Sequence, residues 1–291
     1  KRTGSPRRRG PVAPGARGRL HLPSDPSSPI TMPASFAATP RSPAEAFEVA
    51  ARRLDAAFEP IRFDPTMPCV GASVTEADLR ALAGPVPELA PDLVARFVLK
   101  VGTTWGGPDD LRRITPRVLR LAADQQLPLD RRLVWSKLAW AGWTTWPTYQ
   151  VTSVREFLRA EWRRLLCAPP RPAHLGHRWL HDAVHGVDDL VLFLDEWHDA
   201  LATVVVPEHH RAATGHLVLL LTNSPLRPDF PDTVEELFPA HPQAARDLLD
   251  WLTGPTTMHL LERSAVLLEG TSDRRRVRVG LDRLGRLRER V

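Results

Sequence analysis

At 291 residues and 43% apolar side chains, the chain is long enough for one large domain or two small ones with a substantial core. Its formal charge of +5 is uneven: residues 1–31 carry seven Lys/Arg against one acid, residues 274–291 carry eight Arg against two acids, and the body between is net acidic at −7. This distribution argues against a nucleic-acid surface on the body and confines any such contact to the basic ends.

The apolar runs are too short to span a bilayer, so no membrane partner is expected. Cys69 and Cys167 are too few for a disulfide framework, which favours reduced thiols and a cytoplasmic protein. The positive N-terminus has no apolar segment behind it and does not read as a signal peptide. Lys occurs three times in a chain rich in Arg. That skew suits a GC-rich coding sequence, so arginine content alone says little about partners.

Residues 1–41 are rich in Pro, Gly, Arg and Ser and are expected to be a disordered basic tail. The biological start is expected near Met32, with the preceding residues an upstream extension; a genuine basic tail is the alternative. Order is expected from Ser42-Pro43-Ala44-Glu45, which has the pattern of a capping box. Phe47, Ala50, Leu54 and Phe58 follow at helical spacing, and the Pro-rich connector Pro60 to Pro68 ends that helix. Thr75-Glu76-Ala77-Asp78 opens a second, short helix. A third runs from Pro91 to about Thr103 until Gly106-Gly107-Pro108 breaks it. Asp109 and Asp110 favour a new helix start, with Leu111, Ile114, Val118 and Leu121 on its buried face.

A strongly apolar tryptophan helix is expected over roughly 129–143, and a long helix from Pro147 to Cys167. Asp188 is placed as the cap of an amphipathic helix carrying Leu190, Phe193, Leu194, Trp197 and Leu201. Further helices are expected at about 208–222, 232–238, 242–253 and 256–269. Val204 to Val206 is the only β-branched run. In the C-terminal stretch Val277, Leu281, Leu284 and Leu287 recur near helical spacing, although Gly280 and Gly285 weaken that helix. The expected fold is therefore all-α, either a multi-helix orthogonal bundle or an irregular α-solenoid of helix hairpins. Its organisation is a tail 1–41, one domain 42–273 and a basic C-terminal helix or tail 274–291.

Three stretches carry a resemblance. Thr104-Trp105-Gly106, Asp109-Asp110-Leu111 and Pro116-Arg117-Val118-Leu119-Arg120-Leu121 together resemble the Thr-Trp-Gly, Asp-Leu, Pro-Arg-x-Leu-Glu-Leu pattern of a bacterial family of helical proteins with no assigned activity. Lys137-Leu138, Trp143, Trp146-Pro147, Phe157-Leu158 with Trp162 and, more loosely, Asp250-Trp251-Leu252 extend it over roughly 60–270. The resemblance implies a helical fold and a Cys-x-x-Cys-like or Cys/His-containing segment ahead of the motif. Here Cys69-Val70-Gly71-Ala72 keeps one cysteine, which is too few thiolates for a zinc site.

The favoured function is a non-enzymatic helical module that binds another protein in a groove near Trp105, Asp110, Arg117, Trp140 and Trp143, with no cofactor. Against it stands plain core packing of the indoles, with Trp140 and Trp143 on one helical face and Trp135 on another. Arg113, Arg117 and Arg120 share a face that either grips an anion or is merely solvated; Arg117 could instead pair with Asp110. The alternative function is a metal-dependent hydrolase on His177 and His181, one helical turn apart in a cluster with His174 and His185. Arg178 stands where the glutamate of a His-Glu-x-x-His motif would be. Asp195, Glu196, His198 and Asp199 are expected on a solvated acidic face. Nucleic acid could be held through the basic ends alone. No serine elbow and no phosphate-binding glycine loop is present.

Overall fold

The computed structural model describes residues 40–70, 74–172, 175–187, 189–223, 238, 240–269 and 273–290. Among these the fold is all-α. Twelve α-helices are present: α1 (Pro43–Phe58), α2 (Glu76–Leu82), α3 (Pro91–Lys100), α4 (Pro108–Ala123), α5 (Arg131–Trp140), α6 (Thr148–Leu166), α7 (Gly176–Ala183), α8 (Val191–Ala202), α9 (Pro207–Asn223), α10 (Pro242–Thr253), α11 (Pro255–Leu267) and α12 (Asp273–Arg288). Two 3-10 turns, Val86–Glu88 and Trp143–Thr145, join them. The expected tail up to residue 39, the start at Met32, most of the helix at 232–238, His174 and the Asp188 cap lie outside the described residues. No helix among the described residues is long and apolar enough to cross a membrane.

Local chemistry explains most helix boundaries. At α1 the Glu45 N–H donates to Ser42 Oγ, while the Glu45 carboxylate accepts from Arg41 N–H at 2.8 Å. The reciprocal bond of the expected capping box therefore falls one residue earlier. At α2 the box is complete: Asp78 N–H donates to Thr75 Oγ1, and Thr75 N–H to Asp78 Oδ2. The Asp189 carboxylate, next to the expected cap, accepts from Val191 N–H at the start of α8. The tryptophan helix ends earlier than its composition suggests. Gly142, at φ +65°, terminates α5 in the left-handed conformation, and the next residues form a separate 3-10 turn.

Helix α6 lies at the centre, packed against α1, α7, α8 and α9. Contacts between α1 and α6, and between α9 and α12, join elements distant in sequence. In a solenoid each hairpin touches only its neighbours, so this is a bundle. Helix α12 belongs to the body: Val277, Gly280, Leu284 and Leu287 are buried. Gly280 is tolerated because α9 and α11 press against it, with Leu221, Val218 and Leu261 3.5–3.7 Å from where a Cβ would stand.

A chain of indoles runs through the core. Trp135 of α5 meets Trp179 of α7 at 6.1 Å between centroids, Trp179 meets Trp162 of α6 at 4.9 Å, Trp162 meets Trp197 of α8 at 5.4 Å, and Trp197 meets Trp251 of α10 at 5.2 Å. Each tilted or edge-on pair contributes about 0.5–1.5 kcal/mol beyond its burial. Trp162 donates to Phe193 O and Trp197 to Ala213 O, which ties α6 to α8 and α8 to α9.

Candidate functional site

The motif around Trp105 builds a structural corner. Trp105 is 1% exposed and packs edge-on against Phe97. The Val70 N–H donates to Thr104 O, and the Gly106 N–H to Pro68 O, so residues 68–70 are stitched to the turn. Gly106 has φ +69°, and a Cβ there would sit 2.9 Å from Met67 Sδ and 3.0 Å from Asp110 Oδ2; only glycine fits. Asp110 turns back to accept the Gly107 N–H at 2.8 Å, capping α4. Burial raises its pKa, while the Gly107 bond opposes that rise.

The expected Arg117–Asp110 pair does not form. Asp110, two helical turns away on α4, is committed to its cap, and Arg117 Nε donates instead to Leu89 O at 2.9 Å. Its neighbours on the same face also have partners within the chain. Arg113 donates to Leu82 O at 2.6 Å and Gly84 O at 2.8 Å, which satisfies carbonyls at the end of α2. Arg120 pairs with Asp55 at 2.7 Å and Glu48 at 3.0 Å, both on α1. These bonds make the face a seam that holds α4 to α1 and to the end of α2.

Trp140 and Trp143 separate. Because α5 stops at Trp140 and Gly142 reverses the chain, the two do not share a helical face. Trp143 is 2% exposed, and its indole N–H donates to Gly186 O at 2.6 Å. Trp140 is 46% exposed. Its ring lies flat on the Gly102 turn, where φ is +79° and a Cβ would come within 2.5 Å of the indole. Lys137 sits 5.7 Å from the ring centroid and donates to Val101 O at 2.6 Å, so indole, ammonium and turn hold one another. Of the five residues proposed for a binding groove, only Trp140 reaches solvent as a large apolar surface.

The histidines diverge as well. His177 is 8% exposed, its Nδ1 is buried without a hydrogen-bond partner, and burial, aided by Arg178, His216 and His181, holds its pKa down to about 4. His181, part-exposed, meets Asp182 at 3.3 Å and stacks beside Phe238. His185 meets His241 at 3.4 Å between ring nitrogens. Among the described residues no three His, Cys, Asp or Glu side chains are grouped to hold a metal ion. Among the described residues no third ligand joins His177 and His181, and the two rings differ in setting: one is buried, the other lies against Asp182 and Phe238.

The acidic face of α8 also differs from its expected form. Asp195 and Asp199 are exposed, but Glu196 is 5% exposed. It is clamped between Arg159 and Arg163 of α6, the latter at 2.9 Å. Helical periodicity hinted at this, since Glu196 lies three residues after Phe193 and next to Trp197. What it could not supply was the pair of arginines one turn apart on a helix distant in sequence. His198 Nε2 lies 2.7 Å from Thr257 Oγ1, and Thr257 donates its own proton to Trp251 O, so the imidazole carries its proton on Nε2. No family model, curated protein or solved structure matches this chain.

Proposed function

We propose that the protein is a non-enzymatic helical scaffold that binds another protein through the surface centred on Trp140. The supporting observation is that this indole is both exposed and held rigidly. Of nine tryptophans it alone is exposed, and it is fixed by Gly102 beneath it and Lys137 beside it. A large aromatic held in one conformation loses little entropy on binding, which is why tryptophan is enriched among the residues that dominate interface energies. Leu99, in the last turn of α3 just before the Gly102 turn, is a second large apolar side chain left exposed, at 54%.

The test is photo-crosslinking from position 140, with position 266 on α11 as an exposed control. A discrete protein adduct is expected from 140 and not from 266. The captured partner should copurify with the wild-type chain and bind Trp140→Ala about 30-fold more weakly, a loss of about 2 kcal/mol. Unchanged helicity and melting of Trp140→Ala would assign that loss to the interface. The proposal fails if 140 gives no adduct beyond the control, or if the partner binds Trp140→Ala as tightly as wild type.

A further inference from the structure

A second feature concerns Arg113. Its side chain is buried, at 8% residue exposure, and makes no ion pair among the described residues. Its bonds to Leu82 O and Gly84 O engage two of five N–H donors and supply only the partial charge of a helix end. On its own helix Asp110 bears on Arg113 through its charge, but its hydrogen bond goes to the Gly107 N–H and not to the guanidinium.

A buried guanidinium without a directly paired counter-charge is costly, and the cost falls when an anion reaches it. Arg113 lines an open cavity of about 570 Å³, within the usual range for small-ligand sites. The walls are mostly apolar: Phe58, Ile61, Phe63, Val86 and Pro116 come from α1, the following connector, the 3-10 turn and α4. The guanidinium lies 5.7 Å from the Phe63 ring centroid, so cation and aromatic surface sit side by side. Acids at the rim are already paired: Asp55 with Arg120 at 2.7 Å, and the largely exposed Glu59 with Arg62 at 4.0 Å.

We infer that this cavity binds a small monocarboxylate with an apolar body, its carboxylate on Arg113 and its hydrocarbon or aryl group against Phe63, Ile61 and Val86. A bound carboxylate would take up N–H donors that the two carbonyls leave over, in the planar geometry that guanidinium offers.

The probes are hexanoate and benzoate, each compared with its neutral amide, in ligand-observed NMR titrations of the full chain. Saturable binding with Kd below about 1 mM is expected for at least one acid, with its amide about tenfold weaker or worse. Ala83→Trp, at an exposed wall position, should weaken the acid at least about tenfold by filling the mouth. Arg113→Gln should abolish the preference for acid over amide. Because that variant also loses a bond to α2 and could unfold, the amide comparison and Ala83→Trp decide the matter independently. No saturable binding, equal affinity for acid and amide, or indifference to Ala83→Trp would each overturn the inference.

Discussion

His177 illustrates how much one buried ring can set. Its ordinary pKa of 6.5 falls to about 4 in the fold, first because burial penalises the charged ring. Below pH 6.5 the unfolded chain takes up a proton that the folded ring refuses until about pH 4. This contribution to stability is therefore complete above pH 6.5 and is lost progressively as pH falls through that window. From this ring alone, stability should drop by about 2 kcal/mol between pH 7 and pH 5. His185, His198 and His210 are also lowered, each chiefly by burial, and act with the same sign. Urea denaturation at both pH values measures the effect, and His177→Leu should remove about 2 kcal/mol of the pH dependence. An unchanged dependence in that variant would place the titration elsewhere. Nothing in the local sequence marks His177 as the buried member of its cluster. The distinction comes from α9, whose His216 approaches the start of α7.

At the scale of helices, the ends explain more than the middles. The caps of α1, α2 and α5 use Ser42, Thr75 and Asp130, and their side chains stand within three residues of the N–H groups they satisfy. Those bonds are short-range and so are readable in advance. The junction between α6 and α7 works otherwise. His216, from the middle of α9, accepts the Gly176 N–H on Nδ1 at 3.2 Å, which puts its proton on Nε2, within reach of Leu165 O at 3.1 Å and Ala168 O at 3.0 Å. One imidazole thus satisfies the end of one helix and the start of the next. His216→Leu would keep the volume but leave buried backbone groups without that partner, and should cost about 2–3 kcal/mol. Equilibrium denaturation gives the loss, and faster hydrogen exchange at Gly176 would localise it. A variant as stable as wild type would mean that these groups are satisfied otherwise.

At the scale of the whole molecule, the basic C-terminal stretch is a structural helix. Val277, Leu284 and Leu287 of α12 are buried, and Arg283 donates to Leu221 O and Thr222 O at the end of α9. Removing residues 273–291 would strip about 5–9 kcal/mol of apolar burial, at about 1.5–3 kcal/mol per side chain. That equals much of the net stability of a domain, about 5–15 kcal/mol. The truncated chain should lose its cooperative thermal transition; melting within a few degrees of the full chain would contradict this. A loss of nucleic-acid retention on the same deletion would therefore report unfolding as readily as a lost contact. Helix periodicity, glycine and proline punctuation and side-chain caps determined most of the helices and the all-α class from sequence alone, because those interactions act within one or two turns. The tertiary structure alone decided which tryptophan stays in solvent, that Asp110 caps rather than pairs with Arg117, and that Arg113 faces a cavity. Each depends on partners brought from distant parts of the chain, and no local spacing encodes their arrival.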